Sequence, residues 1–228
     1  LLDDGFITGD RVCQWWESLG LQEVSSQTVE GDQGSTDFVR ATIKGSSGRS
    51  SGGSSPTLGI VGRLGGLGAR PERIGFVSDG GGALTAVAAA AKLGLMQQRG
   101  DVLAGDVIVS THICPDAPTR PHEPVAFMDS PVDDTAMNRH EVSAEMEAIL
   151  SVDTTKGNRI VNHLGFAITP TVKQGWILRV SDDLLGIYAE STGILPVTLP
   201  ITMQDITPYG NDVYHLNSIL QPCVSTSA

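Results

Sequence analysis

The sequence predicts an α/β protein: a three-layer sandwich on a mixed, mostly parallel sheet, with a smaller β-rich or irregular inserted region. Three observations predict it. Short runs of branched apolar residues alternate with longer helical stretches. A glycine turn joins one such run to an alanine-rich helix. Several runs end in Asp or His, which suits strands that deliver side chains to one edge of an open sheet. The 228 residues suit one domain, 1–228, and 40% hydrophobic residues suffice for a full core. Only 18% of residues are charged, below the ~25% of an average soluble domain. That deficit predicts surface covered by other copies, hence a homo-oligomer. The net charge of −11 argues against binding the phosphate backbone of a nucleic acid. No apolar run approaches the ~18 residues that a membrane helix needs.

The elements follow in order. Thr8 or Asp10 caps a first helix carrying Val12, Trp15, Trp16 and Leu19, with Gly20 past its end. Trp15 and Trp16 read as core and subunit contact, or as one wall of a ligand pocket. Residues 45–55 are all Gly and Ser apart from Arg49, the composition of a flexible loop, with a functional lid as the other reading. Residues 56–68 place a glycine every few positions beside branched apolar residues. Arg73–Ser78 reads as a buried strand that ends at Asp79. Gly80–Gly82 then turns into a helix over Ala83–Gln98, with Gly100 past its end.

The next strand is Asp106–Thr111, leading into His112-Ile113-Cys114-Pro115-Asp116. A polar, proline-rich loop runs to about residue 137. A helix over Arg139–Ala148 and a strand over Ala148–Val152 follow, the strand ending at Asp153. Strands are expected near 159–169 and 172–180. Ser181 caps a helix with Asp182 and Asp183 in its first turn, where the helix dipole favours anions. Pro196–Met203 reads as a strand, and Asn211–Leu220 as a helix carrying His215.

Asp79, His112 with Asp116, and Asp153 thus gather at strand ends. Carboxylate and imidazole together suit Zn2+, Mn2+ or Co2+. The competing reading is that each Asp only caps the helix after it. Gly80–Gly82 lets backbone approach a ligand closely beside Asp79. Cys114 next to His112 reads as a thiolate–imidazole pair, as a metal ligand or as an inert core thiol. Lys156 after Thr154 suits a substrate carboxylate or a solvated loop. Asp205 and Asn211, following a strand, are candidates to line the same cleft. The three cysteines are odd in number and widely spaced, so a reducing, cytoplasmic compartment is expected. Gln221–Ala228 reads like a loop entering more structure, and the chain is expected to be C-terminally incomplete.

The runs Ile74–Ala86, Gly105–Pro121 and Glu145–Pro222 resemble a bacterial family, the domain of unknown function numbered 1177. The stretches that carry the likeness are Val109–Thr119, Ser151–Asn158 and Leu199–Asn211. More distantly, the order of elements is similar to the dinuclear-metal aminopeptidases of the tetrahedral, dodecameric type. That resemblance implies a metal-bridging role for Asp79 and ligand roles for Asp153 and His215. It sets His112–Asp116 where that family carries a Glu pair, and so gives the proton-shuttling role to Asp116. The family's early His-x-Asp pattern has no counterpart before Asp79; Gly62-Arg63-Leu64-Gly65-Gly66 stands there instead.

The leading expectation is a metal-dependent hydrolase of a C–N bond in peptides or amino-acid derivatives. Asp79, His112, Asp153 and His215 would hold a divalent Zn, Mn or Co, which lowers the pKa of bound water toward ~7. The alternatives are a non-catalytic structural or ligand-binding oligomer on the same fold, and a cysteine enzyme using Cys114 with His112.

Overall fold

A computed structural model describes residues 1–63, 75–76, 80–121, 127–156, 163, 165–170, 172–173, 176–199, 215–216 and 219–221. Thr8 caps helix α1 (Gly9–Ser18), its hydroxyl accepting from Arg11 N. A hairpin follows, β1 (Glu23–Gly31) with β2 (Gly34–Ile43), closed by the two residues Asp32 and Gln33. Next come β3 (Leu58–Gly62), α2 (Gly81–Gln98) and β4 (Val107–Ile113), then the short pair β5 (Thr119–Arg120) and β6 (Phe127–Met128). They lead to α3 (Asp134–Glu141) and β7 (Ala148–Val152).

Five of these strands, all but β5 and β6, join β13 (His215–Leu216) in the main sheet, six-stranded in the order β1-β2-β4-β3-β7-β13. The four strands β4, β3, β7 and β13 run parallel, and β2 and β1 add an antiparallel wing. This is the mixed, mostly parallel sheet that the alternation predicts. A second sheet of four short strands holds β8 (Thr154–Lys156), β9 (Gly165–Ile168), β12 (Val197–Thr198) and β14 (Ile219–Gln221). A small hairpin, β10 (Val172–Lys173) with β11 (Trp176–Ile177), and helix α4 (Asp182–Thr192) stand between β9 and β12.

Period-two alternation sorts the core into two layers of contact. Val39, Ala41 and Ile43 of β2 and Val107, Val109 and Ile113 of β4 face α1 and α2, where they meet Val12, Trp16, Ala86, Val87 and Ala90. The intervening residues face the other way. There Ile108, Val61 and Ile149 meet Val142 and Met146, and Phe38 meets Val132 and Met137 of α3. Helices on both faces of one sheet give the three layers. Trp16 belongs wholly to the core, and its indole N–H donates to Val87 O at 3.1 Å; Trp15 packs half-buried against the same cluster.

The Gly/Ser run 45–55 has a defined hydrogen-bonded structure rather than that of a loose linker. The Asp106 carboxylate accepts from Gly45 N, Ser50 N and the Ser50 hydroxyl, each at 2.8 Å. Burial alone would raise that carboxyl, but the bonds from Ser50 and Gly45 hold it below its ordinary value. Arg49 grips Glu147 through two nitrogens, at 2.8 and 2.7 Å.

Several expected elements differ. The strand that pairs in the main sheet ahead of α2 is Leu58–Gly62; of the expected 73–79 stretch only 75–76 are among the described residues. The third helix begins at the Asp133 cap and stops at Glu141, because Val142 takes extended backbone and carries Met146 onto Gly59 and Ile149. The expected helix over 211–220 is replaced, in its described part, by strands β13 and β14, which pair with β7, β8 and β9. Helix α4 buries none of its residues deeply, and Ile187, Ile194 and Leu195 stand exposed around it. Among the described residues no helix is long and apolar enough to cross a membrane.

Candidate functional site

Parallel strands place their carboxyl ends at one edge, so the residues that follow them meet there. Gly62 of β3 pairs with Val152 of β7, and Val61 pairs with Ser110 of β4. Two bonds carry that alignment one step further: Arg63 N donates to Val152 O at 2.6 Å, and the Thr111 hydroxyl donates to Gly62 O at 2.9 Å. Arg63, His112 and Asp153 therefore stand at one level. They share the parity of Val61, Ile108 and Ile149, and so lie on the α3 face of the sheet.

Helix α3 completes the cluster. His112 Nδ1 donates to Glu141 Oε1 at 2.5 Å. Arg63 Nε and Glu141 Oε2 form a buried ion pair at 2.5 Å. Arg63 Nη2 donates to Asn138 Oδ1 at 2.6 Å. Asn138 and Glu141 are three residues apart, the spacing that puts both on one helix face. The Ser110 hydroxyl donates to Glu141 O at 2.7 Å and fixes the helix end on β4. His112 and Glu141 have no exposure and Arg63 has 2%. Burial would raise the Glu141 carboxyl, yet the Arg63 guanidinium and His112 hold it below its ordinary value. Phe38 lies against the His112 ring and also stacks with His140, ring centres 4.7 Å apart.

The expected site residues fare unevenly. His112 and Asp153 come to one level of the sheet, and both are buried. Asp116 is half-buried in the turn after β4. Cys114 is enclosed, its sulfur 3.4 Å from the Thr36 hydroxyl. Burial pushes its thiol up to about 12, and Glu141 and Asp37 add to the rise against the Thr36 bond. At neutral pH this sulfur is a thiol, so the cysteine-enzyme alternative draws no support from it. Thr154 and Lys156 form β8, paired through backbone with Ile219 and Gln221. His215 pairs with Ile149. That register lies four residues before Asp153, about 13 Å along the strand direction. Asp79, Asp205 and Asn211 lie outside the described residues.

Reading residues one at a time missed Arg63, Asn138 and Glu141. One signal for Arg63 was present: it follows a run of branched apolar residues, as Asp153 does. Among the described residues, no group of three or more His, Cys, Asp or Glu side chains could hold a metal ion. A cavity of about 320 Å³ opens at the opposite end of the main sheet, bordered by Glu23, Lys44, Gln97 and Gln98. None of the expected site residues borders it.

The fold and this edge define an open-sheet α/β protein with a buried, charge-paired cluster at the carboxyl ends of its central strands. The chain belongs to the family described as "Protein of unknown function (DUF1177)", whose model matches residues 27–228. No curated protein matches the sequence. Solved structures similar to it include a glutaminyl cyclase from Bacteroides thetaiotaomicron bound to N-acetylhistamine. It is 13% identical with a TM-score of 0.47, and the match covers 91% of this chain and 74% of that one. The LapA aminopeptidase of Legionella pneumophila is 12% identical with a TM-score of 0.45, over 97% of this chain and 55% of its own. A glutaminyl cyclase from an Acidobacteriales bacterium is 13% identical with a TM-score of 0.44, over 93% and 68%. This chain thus spans little more than half the length of the Legionella aminopeptidase. All three scores stay below 0.5, so the fold described above rests on the sheet itself.

Proposed function

We propose that the chain is a hydrolase of a C–N bond in peptides or amino-acid derivatives, working at the carboxyl ends of β3, β4 and β7. One observation carries this reading: the buried Glu141 carboxylate orients His112 through Nδ1, at the edge where open α/β sheets bind ligands. A carboxylate on Nδ1 fixes the tautomer and the orientation of the ring, which suits His112 to exchange a proton through Nε2. Arg63 keeps Glu141 ionised for that purpose. Asp116, in the turn beyond β4, remains the proposed second proton carrier, and Lys156 with Thr154 the proposed substrate contacts. The reading includes a homo-oligomer, in line with the apolar side chains left exposed around α4.

The expected metal does not fit the described residues. Both oxygens of Glu141 already face nitrogens of His112 and Arg63, and His215 stands at a register remote from Asp153.

The test is hydrolysis of a panel of aminoacyl amides, dipeptides and N-acyl amino acids by the purified chain, with and without added Zn2+, Mn2+ or Co2+. Turnover that disappears in His112→Ala supports the reading. Absence of turnover in every condition sinks it. The second reading, a non-catalytic ligand-binding protein on this fold, is favoured by the near-complete burial of His112, Glu141 and Arg63. Ligand-dependent thermal stabilisation that persists in His112→Ala, without turnover, selects it.

A further inference from the structure

The carboxyl edge carries a cation of its own. We propose that Arg63 takes the place of a divalent ion there, so that the Glu141 carboxylate, on the face it shares with His112 and Asp153, is charge-balanced by a guanidinium and excludes metal. This inference stands apart from the hydrolase reading, because a binding protein would show it equally.

Three observations support it. The first is position: Arg63 follows the central strand β3, at one level with His112 on β4 and Asp153 after β7. The second is contact: Arg63 Nε and His112 Nδ1 each lie 2.5 Å from a different oxygen of Glu141. A metal bound to that carboxylate needs bonds of ~2.0–2.2 Å and would have to displace the guanidinium. The third is rigidity. Asn138 holds Nη2, Val152 O holds the backbone N–H, and the start of α2 abuts the Arg63 carbonyl, where a Cβ on Gly82 would lie 2.0 Å from Arg63 O. The guanidinium is locked from both ends. A carboxylate without exposure requires a cation, and a second cation beside Arg63 would be repelled in so dry a place.

The experiment measures bound metal and thermal stability on the whole chain. Wild type is expected to carry far less than one equivalent of transition metal, with a Tm unmoved by EDTA or by Zn2+, Mn2+ or Co2+. Arg63→Ala strips the cation from Glu141. Its Tm is expected to fall, and to rise again on adding one of these ions. Adding Glu141→Gln to that variant removes the metal-dependent rise. Wild-type protein that holds one equivalent of metal, and melts lower once it is chelated, overturns the proposal. So does an Arg63→Ala chain whose Tm no ion raises. If Arg63→Ala does not fold, the paired substitution Arg63→Met with Glu141→Gln decides. A folded double variant supports charge balance as the role of Arg63, and an unfolded one overturns it.

Discussion

Gly62 and Gly82 pack against each other so closely that neither has room for a side chain. A Cβ on Gly62 would lie 2.4 Å from Gly82 O, and one on Gly82 would lie 2.0 Å from Arg63 O. The end of β3 and the start of α2 thereby meet backbone to backbone, and Arg63 is set between them. Gly82→Ala is expected to cost about 2–3 kcal/mol, because the clash is with backbone that cannot rotate away. Urea unfolding measures it. Arg63 shifts with the same turn, so the variant should also lose whatever activity His112→Ala loses. A Gly82→Ala chain of wild-type stability would show that the contact is looser than described.

The cysteines give a chemical check. Burial pushes the Cys13 thiol up to about 11, with Asp10 and Glu17 adding to it, and pushes Cys114 up to about 12. In a Cys223→Ser chain neither remaining thiol should react with a chromogenic disulfide at pH 7–8 while folded, and both should react in guanidinium. Rapid labelling of Cys114 in the native chain would revive its reading as a nucleophile.

Stability should depend on acid through Glu147. Its carboxyl is lowered from 4.5 to about 2, first by the Arg49 hydrogen bonds and then by Thr57 N. A carboxyl lowered on folding contributes stability in full above its unfolded value, and that contribution is lost as pH falls through its folded value. The difference between wild type and Glu147→Gln should therefore be constant above about pH 5 and vanish near pH 2. Glu141, lowered by Arg63 and His112 against the cost of burial, follows the same sign. A difference that grows as pH falls would contradict the assignment.

Asp106 is the anchor of the Gly/Ser run. Asp106→Ala removes three bonds and leaves Gly45 N and Ser50 N without that acceptor, at a cost of about 1–3 kcal/mol. Limited proteolysis should then cut within 45–55, where wild type resists. Equal cutting of the two chains would mean that the segment opens regardless of Asp106.

Trp16→Phe tests the layer between α1 and α2. The ring stays apolar, but Val87 O loses its indole donor inside the core. About 1–3 kcal/mol should be lost in urea unfolding. A neutral result would show that Val87 O finds another donor.

Much of the framework was legible residue by residue, because it rests on local chemistry. Thr8 and the periodicity of Val12 and Trp16 define α1, the alanine run defines α2, and Ala148–Val152 is β7 as read. Apolar runs separated by helices gave β4 and β7 of the parallel centre, whereas the central strand β3 and the edge strand β13 went unread. The strand-end rule also pointed to His112 and Asp153, which the register brings to one level of the sheet. What went unread depends on partners distant in sequence. β1 is polar at all positions but Val24, Val29 and Gly31, which gives no period-two pattern, and becomes a strand only through its register with β2. The run 45–55 looks flexible because its anchors, Asp106 and Glu147, stand about 50 to 100 residues away. Arg63 and Glu141 are ordinary surface residues by composition. Only the folding of α3 over the ends of β3 and β4 removes water from both, and a buried charge then needs its opposite within reach. Local pattern settles which segments are strands and helices. Which charges end up facing each other in the dark of the core is decided by packing.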